Sequence, residues 1–237
     1  MSDYGLLNDL HEGVTKAVLF DLDGTIFDSV ESHVEELKEI WRRLKLPAID
    51  PEKVKEIMAR GQAFWDCLEE LLPWMTPKER EDIKTRGIET DKELWKDVHF
   101  VREFNRFVPR AVEVLKTLKD EGFSVGLVSS VKREWGDAIF YTFREAEIDP
   151  EEFFDVIIMR EDVPRMKPFP DPVLEGIRRL KTTPHQCLYV GDSPNDIRCG
   201  KAAGVKTAGV LTGVGTSETL SLENPDFILQ SIADLIR

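Results

Sequence analysis

Cysteine is scarce in this chain, and its scarcity excludes two kinds of small protein. The 237 residues include three cysteines, which stand far apart at Cys67, Cys187 and Cys199. An odd number without a CxxC spacing fits neither a disulfide framework nor a zinc site built on thiolates. We therefore expect three separate thiols, as in a reducing compartment, and a buried, inert Cys187 inside the apolar run CLYVG.

Long apolar runs are also missing. No run approaches the roughly 20 residues that a membrane-spanning helix needs. The first fifteen residues, MSDYGLLNDLHEGVT, have neither a basic start nor an apolar core, so no signal peptide is expected. Hydrophobic residues make up 41% and charged residues 32% of the chain, which favours a packed globular core over disorder. A cytoplasmic protein without membrane contact is the expectation.

Positive charge is in short supply. Lysine and arginine number 32 against 45 aspartates and glutamates, which gives a formal net charge of −13. This balance disfavours nucleic acid as a partner, because such binding depends on neutralised phosphates. It would also repel an anionic substrate, so a phosphate ester would need a bound cation and a nearby lysine to reverse the local sign. The sequence leaves the choice between monomer and homodimer open.

The stretch from Val30 to about Arg106 is helical in its period. VESHVEELKEIWRRLKL carries apolar residues three and four apart and ends before Pro47. EKVKEIMA and FWDCLEELL indicate further helices, and Thr76, followed by a proline and then Glu79, is typical of a capped helix start. No strand is predicted in this stretch. Three tryptophans are expected to pack in its interior: Trp65, Trp74 and Trp95.

The remaining sequence alternates between strands and helices. Short apolar runs predict buried strands at 17–21, 124–129, 154–159, 187–192 and 205–211, and helices are predicted at 110–121, 132–146, 171–181 and 194–203. This alternation predicts an α/β fold, a Rossmann-like parallel sheet with helices on both faces. The helical stretch falls between the first two strands. It is therefore expected to form an inserted all-α cap domain, residues 29–106, on a core domain of residues 1–28 and 107–237.

Polar residues with chemical potential follow the predicted strands directly. Because ligands bind beyond the carboxyl ends of parallel strands, these residues should meet at one edge of the sheet. Crowded carboxylates need a cation between them, and oxygen ligands suit Mg²⁺, while a lysine and a hydroxyl can bind phosphate oxygens. The residues concerned are Asp21, Asp23, Ser129, Lys167, Asp192 and Asp196.

FDLDGTIFDS, LVSS, MKP and GDSPND resemble the four motifs of the haloacid dehalogenase-like superfamily, in their usual order. AAGVKTAGVLTG, after the fourth motif, is similar to the phosphoglycolate phosphatase-like members, and an insert after the first motif resembles the family's first class of helical cap. The resemblance implies a magnesium-dependent phosphatase. Its substrate would be a small phosphorylated metabolite, a phosphomonoester of the phosphoglycolate or sugar phosphate type, hydrolysed through an aspartyl phosphate.

The resemblance also implies a role for each motif residue. Asp21 would be the nucleophile, and Asp23 would protonate the leaving oxygen and then take a proton from water. Mg²⁺ would be held by the Asp21 carboxylate, the Asp23 backbone carbonyl and the Asp192 carboxylate. Asp196 would bind the metal directly or through water.

The remaining site residues are assigned to the phosphoryl group and to the rest of the substrate. Ser129 and Lys167, helped by Ser130, would bind the phosphoryl oxygens, and Gly24 gives the turn after Asp23 its freedom. His33 and Arg60 are candidates for contact with the substrate from the cap. Each also has a plainer interpretation: His33 as a hydrogen-bonded helix histidine and Arg60 as a solvated arginine at a helix end.

Several other functions compete with hydrolysis. A β-phosphoglucomutase-like phosphotransferase would use the same aspartates, but such relatives carry ED-S-x-x-G where this chain has GDSPND. A dehalogenase lacks the second aspartate, which Asp23 supplies here. Signalling receivers are about half this length and carry the phosphoacceptor after the third strand. A non-catalytic, phosphate-binding member of the family stays open as an alternative.

Overall fold

The computed structural model describes residues 14–60, 64–97, 100 and 105–236. The expectation of no signal peptide concerns the first fifteen residues, and all but the last two of these lie outside the described part. Within the described ranges, none of the helices combines the length and the apolar character needed to cross a membrane.

Six parallel strands form one sheet. They are β1 (Ala17–Phe20), β2 (Ser124–Val128), β3 (Val156–Ile158), β4 (Cys187–Gly191), β5 (Lys206–Val210) and β6 (Phe227–Leu229), in the order β3-β2-β1-β4-β5-β6. All five ladders are parallel. The strand order reverses between β1 and β4, and a crevice at such a point is where open α/β sheets bind ligands.

The central strand β1 is buried on both of its faces, which explains its apolar composition. Val18 and Phe20 belong to one apolar cluster and Ala17 and Leu19 to another, and all four residues are almost completely buried. Such a strand requires helices on both sides of the sheet. The predicted α/β fold with a parallel sheet is therefore confirmed.

The segment between β1 and β2 is helical in the described residues. It contains α1 (Val30–Arg43), α2 (Pro51–Ala59), α3 (Leu68–Leu71) and α4 (Pro77–Leu94). The predicted cap of α4 is present, since Thr76 Oγ1 accepts from the Glu79 backbone and the Glu79 carboxylate accepts from the Thr76 backbone at 2.7 Å. FWDCLEELL divides into a 3₁₀ turn and the short α3. An apolar cluster of its own, which includes Val34, Trp41 and Leu94, holds these helices together.

Trp74 corrects one expectation for this segment. It lies in the turn between α3 and α4 and is 62% exposed, so it does not belong to the interior. Trp65, by contrast, stacks on Trp41 with ring centroids 6.0 Å apart.

The helical segment leaves and rejoins the sheet at neighbouring positions. Phe27 and Phe107 form an antiparallel bridge, and the Asp28 N–H donates to the Arg106 carbonyl at 2.8 Å. The rings of Phe27 and Phe107 meet edge to face at 5.1 Å. The two connections therefore form a short two-stranded link beside the carboxyl end of β1.

Six further helices follow in the rest of the described chain: α5 (Ala111–Asp120), α6 (Gly136–Glu145), α7 (Pro150–Phe153), α8 (Asp171–Leu180), α9 (Pro194–Ala203) and α10 (Ser217–Ser221). The helix predicted at 132–146 begins only at Gly136, because residues 133–135 form a 3₁₀ turn in which the Arg133 N–H donates to Glu161 at 2.9 Å. β6 was not predicted. Its apolar run is only FIL, whereas the equally short β3 lies within the longer run FDVIIM.

Candidate active site

Three buried carboxylates meet at the carboxyl edge of the sheet. Asp21 follows β1 directly, Asp192 follows β4, and Asp196 stands in the first turn of α9. Because β1 pairs with β4, the ends of the two strands bring Asp21 and Asp192 side by side. Each of the three residues offers an oxygen within 4.8 Å of the others. The convergence expected from their positions after the strands is therefore observed.

Lys167 reaches the same cluster from the loop after β3. Its ammonium lies 2.6 Å from Asp21 Oδ1 and 2.7 Å from Asp196 Oδ1, and its side chain is 8% exposed. Burial alone would lower the pKa of Lys167, but the two carboxylates outweigh it and raise the pKa above its usual value. Burial raises the pKa of Asp21, with Asp196 and Asp192 adding to it against the opposing effect of Lys167. One ammonium thus faces more carboxylate charge than it can neutralise.

Two glycines give the Asp192 carboxylate its room. A Cβ on Gly24 would stand 2.4 Å from Asp192 Oδ2, and one on Gly213 would stand 1.9 Å from it. Gly24 also has a φ of +72°, which L side chains rarely adopt. The same Oδ2 accepts from the Val214 N–H at 2.7 Å. Asp192 is therefore held in a narrow slot in which only glycine fits on two sides.

The donor set fits a divalent cation. Burial and the charge of Asp196 raise the pKa of Asp192 to about 7, a sign that the cluster holds excess negative charge. All three groups offer hard carboxylate oxygens, which Mg²⁺ and Ca²⁺ prefer over the nitrogen and sulfur ligands of other metals. Asp21, Asp192 and Asp196 form a group whose oxygens lie close enough together to hold such an ion.

Asp196 differs from the other two carboxylates in its hydrogen bonds. Its Oδ1 accepts from Lys167 and from the Tyr189 hydroxyl at 2.8 Å. Its Oδ2 accepts from the Ser193 backbone at 3.1 Å and from the Ser193 hydroxyl. Four donors use the lone pairs that a carboxylate has to offer, so Asp196 holds its neighbours in position.

The two serines after β2 have different surroundings. Ser129 is buried, and its Oγ accepts from the Val131 N–H at 3.1 Å, which fixes the turn that follows the strand. Its own N–H donates to the Ile158 carbonyl of β3. Ser130 is exposed. Because β2 flanks β1 on the side opposite β4, Ser129 lies on the other side of Asp21 from Asp192.

His33 of α1 connects Asp23 with a second group of acids. Its Nε2 lies 3.7 Å from Asp23 Oδ1 and its Nδ1 lies 3.1 Å from Glu36 Oε2. Glu36 also accepts from the Trp95 indole and hydrogen-bonds to Asp91. Burial alone would lower the pKa of His33, but Asp23 and Glu36 raise it well above its usual range. In Asp23 burial alone would raise the pKa, and His33 reverses the direction.

A cavity of about 310 Å³ opens beside Asp23, between the helical segment and α6. His33 and Asp23 line it together. Arg60 is not among the lining residues: it is exposed at the end of α2 and pairs with Glu70 at 2.8 Å. Trp65 and Trp95 were expected only as interior residues, yet both form part of the wall, as do Glu36, Asp91 and Asn105, which the sequence did not single out. These five residues come together only because separate helices pack against one another, so the sequence alone did not reveal the wall of the cavity.

The fold is Rossmann-like, and three buried carboxylates lie together at the carboxyl edge of its sheet. The chain belongs to the haloacid dehalogenase-like hydrolases, whose family model matches residues 18–210. It is therefore a hydrolase by family, and the resemblance carried by its four motifs is confirmed.

Known relatives cover nearly the full length of the chain. The phosphoglycolate phosphatase of Escherichia coli K12 is 31% identical over 236 residues, which covers 93% of this chain and 91% of that protein. The pyrophosphatase PpaX of Bacillus pumilus is 30% identical over 227 residues and covers 96% of this chain and 97% of its own. Among solved structures, a haloacid dehalogenase-like hydrolase from Bacteroides fragilis superimposes with a TM-score of 0.76 at 26% identity, over 94% of this chain and 100% of that one.

Proposed function

We propose that this chain is a magnesium-dependent phosphatase that hydrolyses a small phosphomonoester through an aspartyl phosphate on Asp21. The observation that supports this most is the position of Asp21 after β1, with Lys167 on one oxygen and Asp192 within metal-sharing distance. A nucleophilic carboxylate, a cation site and a phosphate-binding lysine then lie within one buried cluster. The names of the two relatives agree with phosphate-ester or phosphoanhydride hydrolysis.

Hydrolysis takes place in two displacements. An Asp21 oxygen attacks phosphorus, the bond from phosphorus to the leaving oxygen breaks, and Asp23 gives that oxygen a proton. Asp23 then takes a proton from water, which attacks the same phosphorus and breaks its bond to Asp21. Asp23 must carry a proton for the first step and be ionised for the second, and the ionised state that His33 favours suits the second. Inorganic phosphate and the free alcohol are the products.

Charge is balanced by the groups around the phosphoryl oxygens. Mg²⁺, held by the carboxylates of Asp21 and Asp192 with the Asp23 backbone carbonyl, would neutralise charge on these oxygens. Lys167 and Ser129, with Ser130 beside it, donate to them, and Asp196 positions Lys167 through their 2.7 Å contact. Gly24 leaves space for the Asp192 carboxylate. The requirement that the net charge of −13 be reversed locally is then met.

We assign contact with the leaving group of the substrate to the helical segment. Residues 29–106 would act as a cap over the edge of the sheet, with His33 close enough to Asp23 to contact the leaving group. The name of one relative suggests phosphoglycolate, and the resemblance to the family also implies sugar phosphates as candidates. Arg60 would need to leave Glu70 before it could take part.

The test is phosphate release from a panel of phosphorylated metabolites with and without Mg²⁺. Asp21→Asn should abolish release while the protein still melts cooperatively, because only the nucleophile is lost. Asp28→Asn is the matched control, since Asp28 lies seven residues further on and is exposed. Release by Asp21→Asn at the wild-type rate would refute the nucleophile, and binding of phosphate compounds without any turnover would favour a non-catalytic member. Transfer to a sugar hydroxyl in place of release would indicate a phosphotransferase.

A further inference from the structure

We propose that the substrate carries an uncharged, largely apolar organic group, which occupies the cavity beside Asp23, and that carboxylated esters such as phosphoglycolate are poor substrates. The inference rests on the phosphatase function proposed above and narrows its substrate class. It depends on where the cavity lies, on its wall and on its charges.

The cavity lies where the leaving group must go. Asp23 belongs both to its lining and to the loop that follows Asp21, so a phosphoryl group on Asp21 would direct its ester oxygen toward this space. A volume of about 310 Å³ is at the lower end of the range of roughly 300–1,000 Å³ that is typical of small-molecule sites. A single ring or a short alkyl chain is therefore a reasonable occupant.

The wall is apolar and comes from both sides of the crevice. Trp95, after α4, stacks on Trp135, before α6, with centroids 6.0 Å apart and planes within 10°. This pair joins the helical segment to the sheet side of the cavity. Further apolar lining residues are Leu37, Ile40, Met58, Phe64, Val131 and Ile139. Such a surface gains free energy when it contacts apolar atoms in place of water.

The charges of the lining disfavour an anionic group. Among the described residues of the lining, His33 is the one basic side chain, and its two ring nitrogens already face Asp23 and Glu36. Burial alone would raise the pKa of Glu36, but His33 lowers it, so this carboxylate is ionised. A substrate carboxylate in the cavity would lose its hydration. It would face the acidic side chains of the described lining, whose one basic group is already paired, and this combination costs several kcal/mol in a buried site.

Asn105 adds a neutral hydrogen-bond donor. It lines the cavity, its side chain is buried, and its Nδ2 has no hydrogen-bond partner among the described residues. The amide carries no charge that could attract a substrate carboxylate, and one neutral side chain cannot offset the hydration that a carboxylate would lose in a buried site.

Matched pairs of esters provide the first test. Ethyl phosphate should be hydrolysed with a higher kcat/KM than 2-phosphoglycolate, and phenyl phosphate with a higher value than 4-carboxyphenyl phosphate. We expect a difference of about tenfold or more in each pair, the scale on which one pocket contact discriminates. Equal values, or a preference for the carboxylated member, would overturn the inference.

A binding measurement separates this inference from the catalytic proposal. Benzylphosphonate and its 4-carboxy analogue are not hydrolysed, and their binding in the presence of Mg²⁺ can be followed by calorimetry. The neutral compound should bind about tenfold more tightly. Preferential binding without hydrolysis of any ester would sink the phosphatase proposal and leave the preference of the cavity intact. Hydrolysis of the esters together with tighter binding of the carboxylated analogue would support the phosphatase proposal and overturn the inference about the cavity.

A charge placed in the wall should reverse the preference. Met58→Lys puts an ammonium into the lining, and the ratio of affinities should shift toward the carboxylated analogue. Leu222→Lys is the matched control, because Leu222 is 75% exposed and outside the lining, and it should leave the ratio unchanged. An equal shift in both variants would indicate only a change of net charge and would contradict the role of the cavity. The wild-type pairs decide the question if Met58→Lys does not fold.

Discussion

The ammonium of Lys167 and the carboxylate of Asp21 lie 2.6 Å apart, although the two residues are 146 positions apart in the sequence. Lys167 follows β3 and Asp21 follows β1. Because β2 lies between these two strands in the sheet, the ion pair spans the carboxyl end of β2. Because Asp196 holds the same ammonium at 2.7 Å, Lys167 is fixed beside the atom proposed to attack phosphorus.

Replacing Lys167 should affect the rate more than substrate binding. Lys167→Ala removes a donor whose partner charge grows in the transition state, so kcat should fall by about 10²–10³ with a smaller change in KM. Steady-state kinetics measure the two constants separately. Lys116→Ala, at an exposed position of α5, serves as the control and should retain both. A variant of Lys167 with wild-type kcat and only a raised KM would contradict this role.

Asp192 should determine the response to metal. Without metal at pH 8, Asp192→Asn should melt at a higher temperature than the wild type. The pKa of Asp192 is raised to about 7, so the wild type carries a buried negative charge at pH 8, and the variant removes it. With Mg²⁺ the order should reverse, since the variant loses a ligand. The Mg²⁺ concentration for half the thermal shift should rise by about tenfold or more. Exposed Asp137→Asn should follow the wild type, and equal Mg²⁺ responses in all three proteins would rule out the metal site.

Gly213 should be required for the position of Asp192. The Cβ in Gly213→Ala would stand 1.9 Å from Asp192 Oδ2, and that oxygen is held by Val214, so the carboxylate must move. We expect a loss of about 1–3 kcal/mol in the free energy of unfolding and a weaker thermal response to Mg²⁺. Gly136→Ala adds the same methyl where the nearest atom is 3.8 Å away and should be tolerated. Denaturant melts of both variants that coincide with the wild type would contradict the crowding argument.

Asp91 should make stability depend on pH. Burial and the neighbouring Glu36 raise its pKa from 3.8 to about 8. The folded state therefore holds this proton more tightly than the unfolded state, and the free energy of unfolding should fall as pH rises through that interval. Asp91→Asn stays neutral and can still donate to Glu36. It should melt like the wild type near pH 4 and be more stable by several kcal/mol at pH 8, because one pKa unit corresponds to about 1.4 kcal/mol.

Urea melts across this pH range test the expectation for Asp91. Glu89→Gln, at an exposed position of the same helix α4, is the control and should run parallel to the wild type. If the free energy of unfolding of Asp91→Asn depends on pH as that of the wild type does, the pKa of Asp91 is the same in the folded and unfolded states, which contradicts the prediction.

The sequence predicted the acidic edge of the sheet because local signals were sufficient there. An apolar run followed at once by a carboxylate places Asp21 and Asp192 at strand ends, and the rule for parallel sheets brings those ends together. The cap of α4 was predictable for the same reason, since Thr76 and Glu79 interact within one turn. β6 was missed, because its apolar run FIL is too short to indicate a strand before it pairs with β5, whereas β3 lies within the longer run FDVIIM.

The cavity could not be predicted, because its wall is assembled by packing. Glu36 and Trp95 are 59 positions apart and meet only when α1 lies beside the end of α4. Trp74 follows Pro73 and Trp95 follows the end of α4, and both were expected in the interior, yet one is largely exposed and the other lines the cavity. No period or spacing distinguishes a tryptophan in an outward turn from one that faces another helix.

The link between Phe27 and Phe107 has a consequence for how the substrate range of such a chain can change. The 78 residues from Asp28 to Asn105 return to within one hydrogen bond of where they left, so the sheet is indifferent to their length. A different helical insert could be grafted onto this hairpin-like stem without moving a strand by one residue. Selection could therefore exchange the helical segment, which we propose recognises the substrate, while the sheet and its proposed catalytic edge are inherited unchanged.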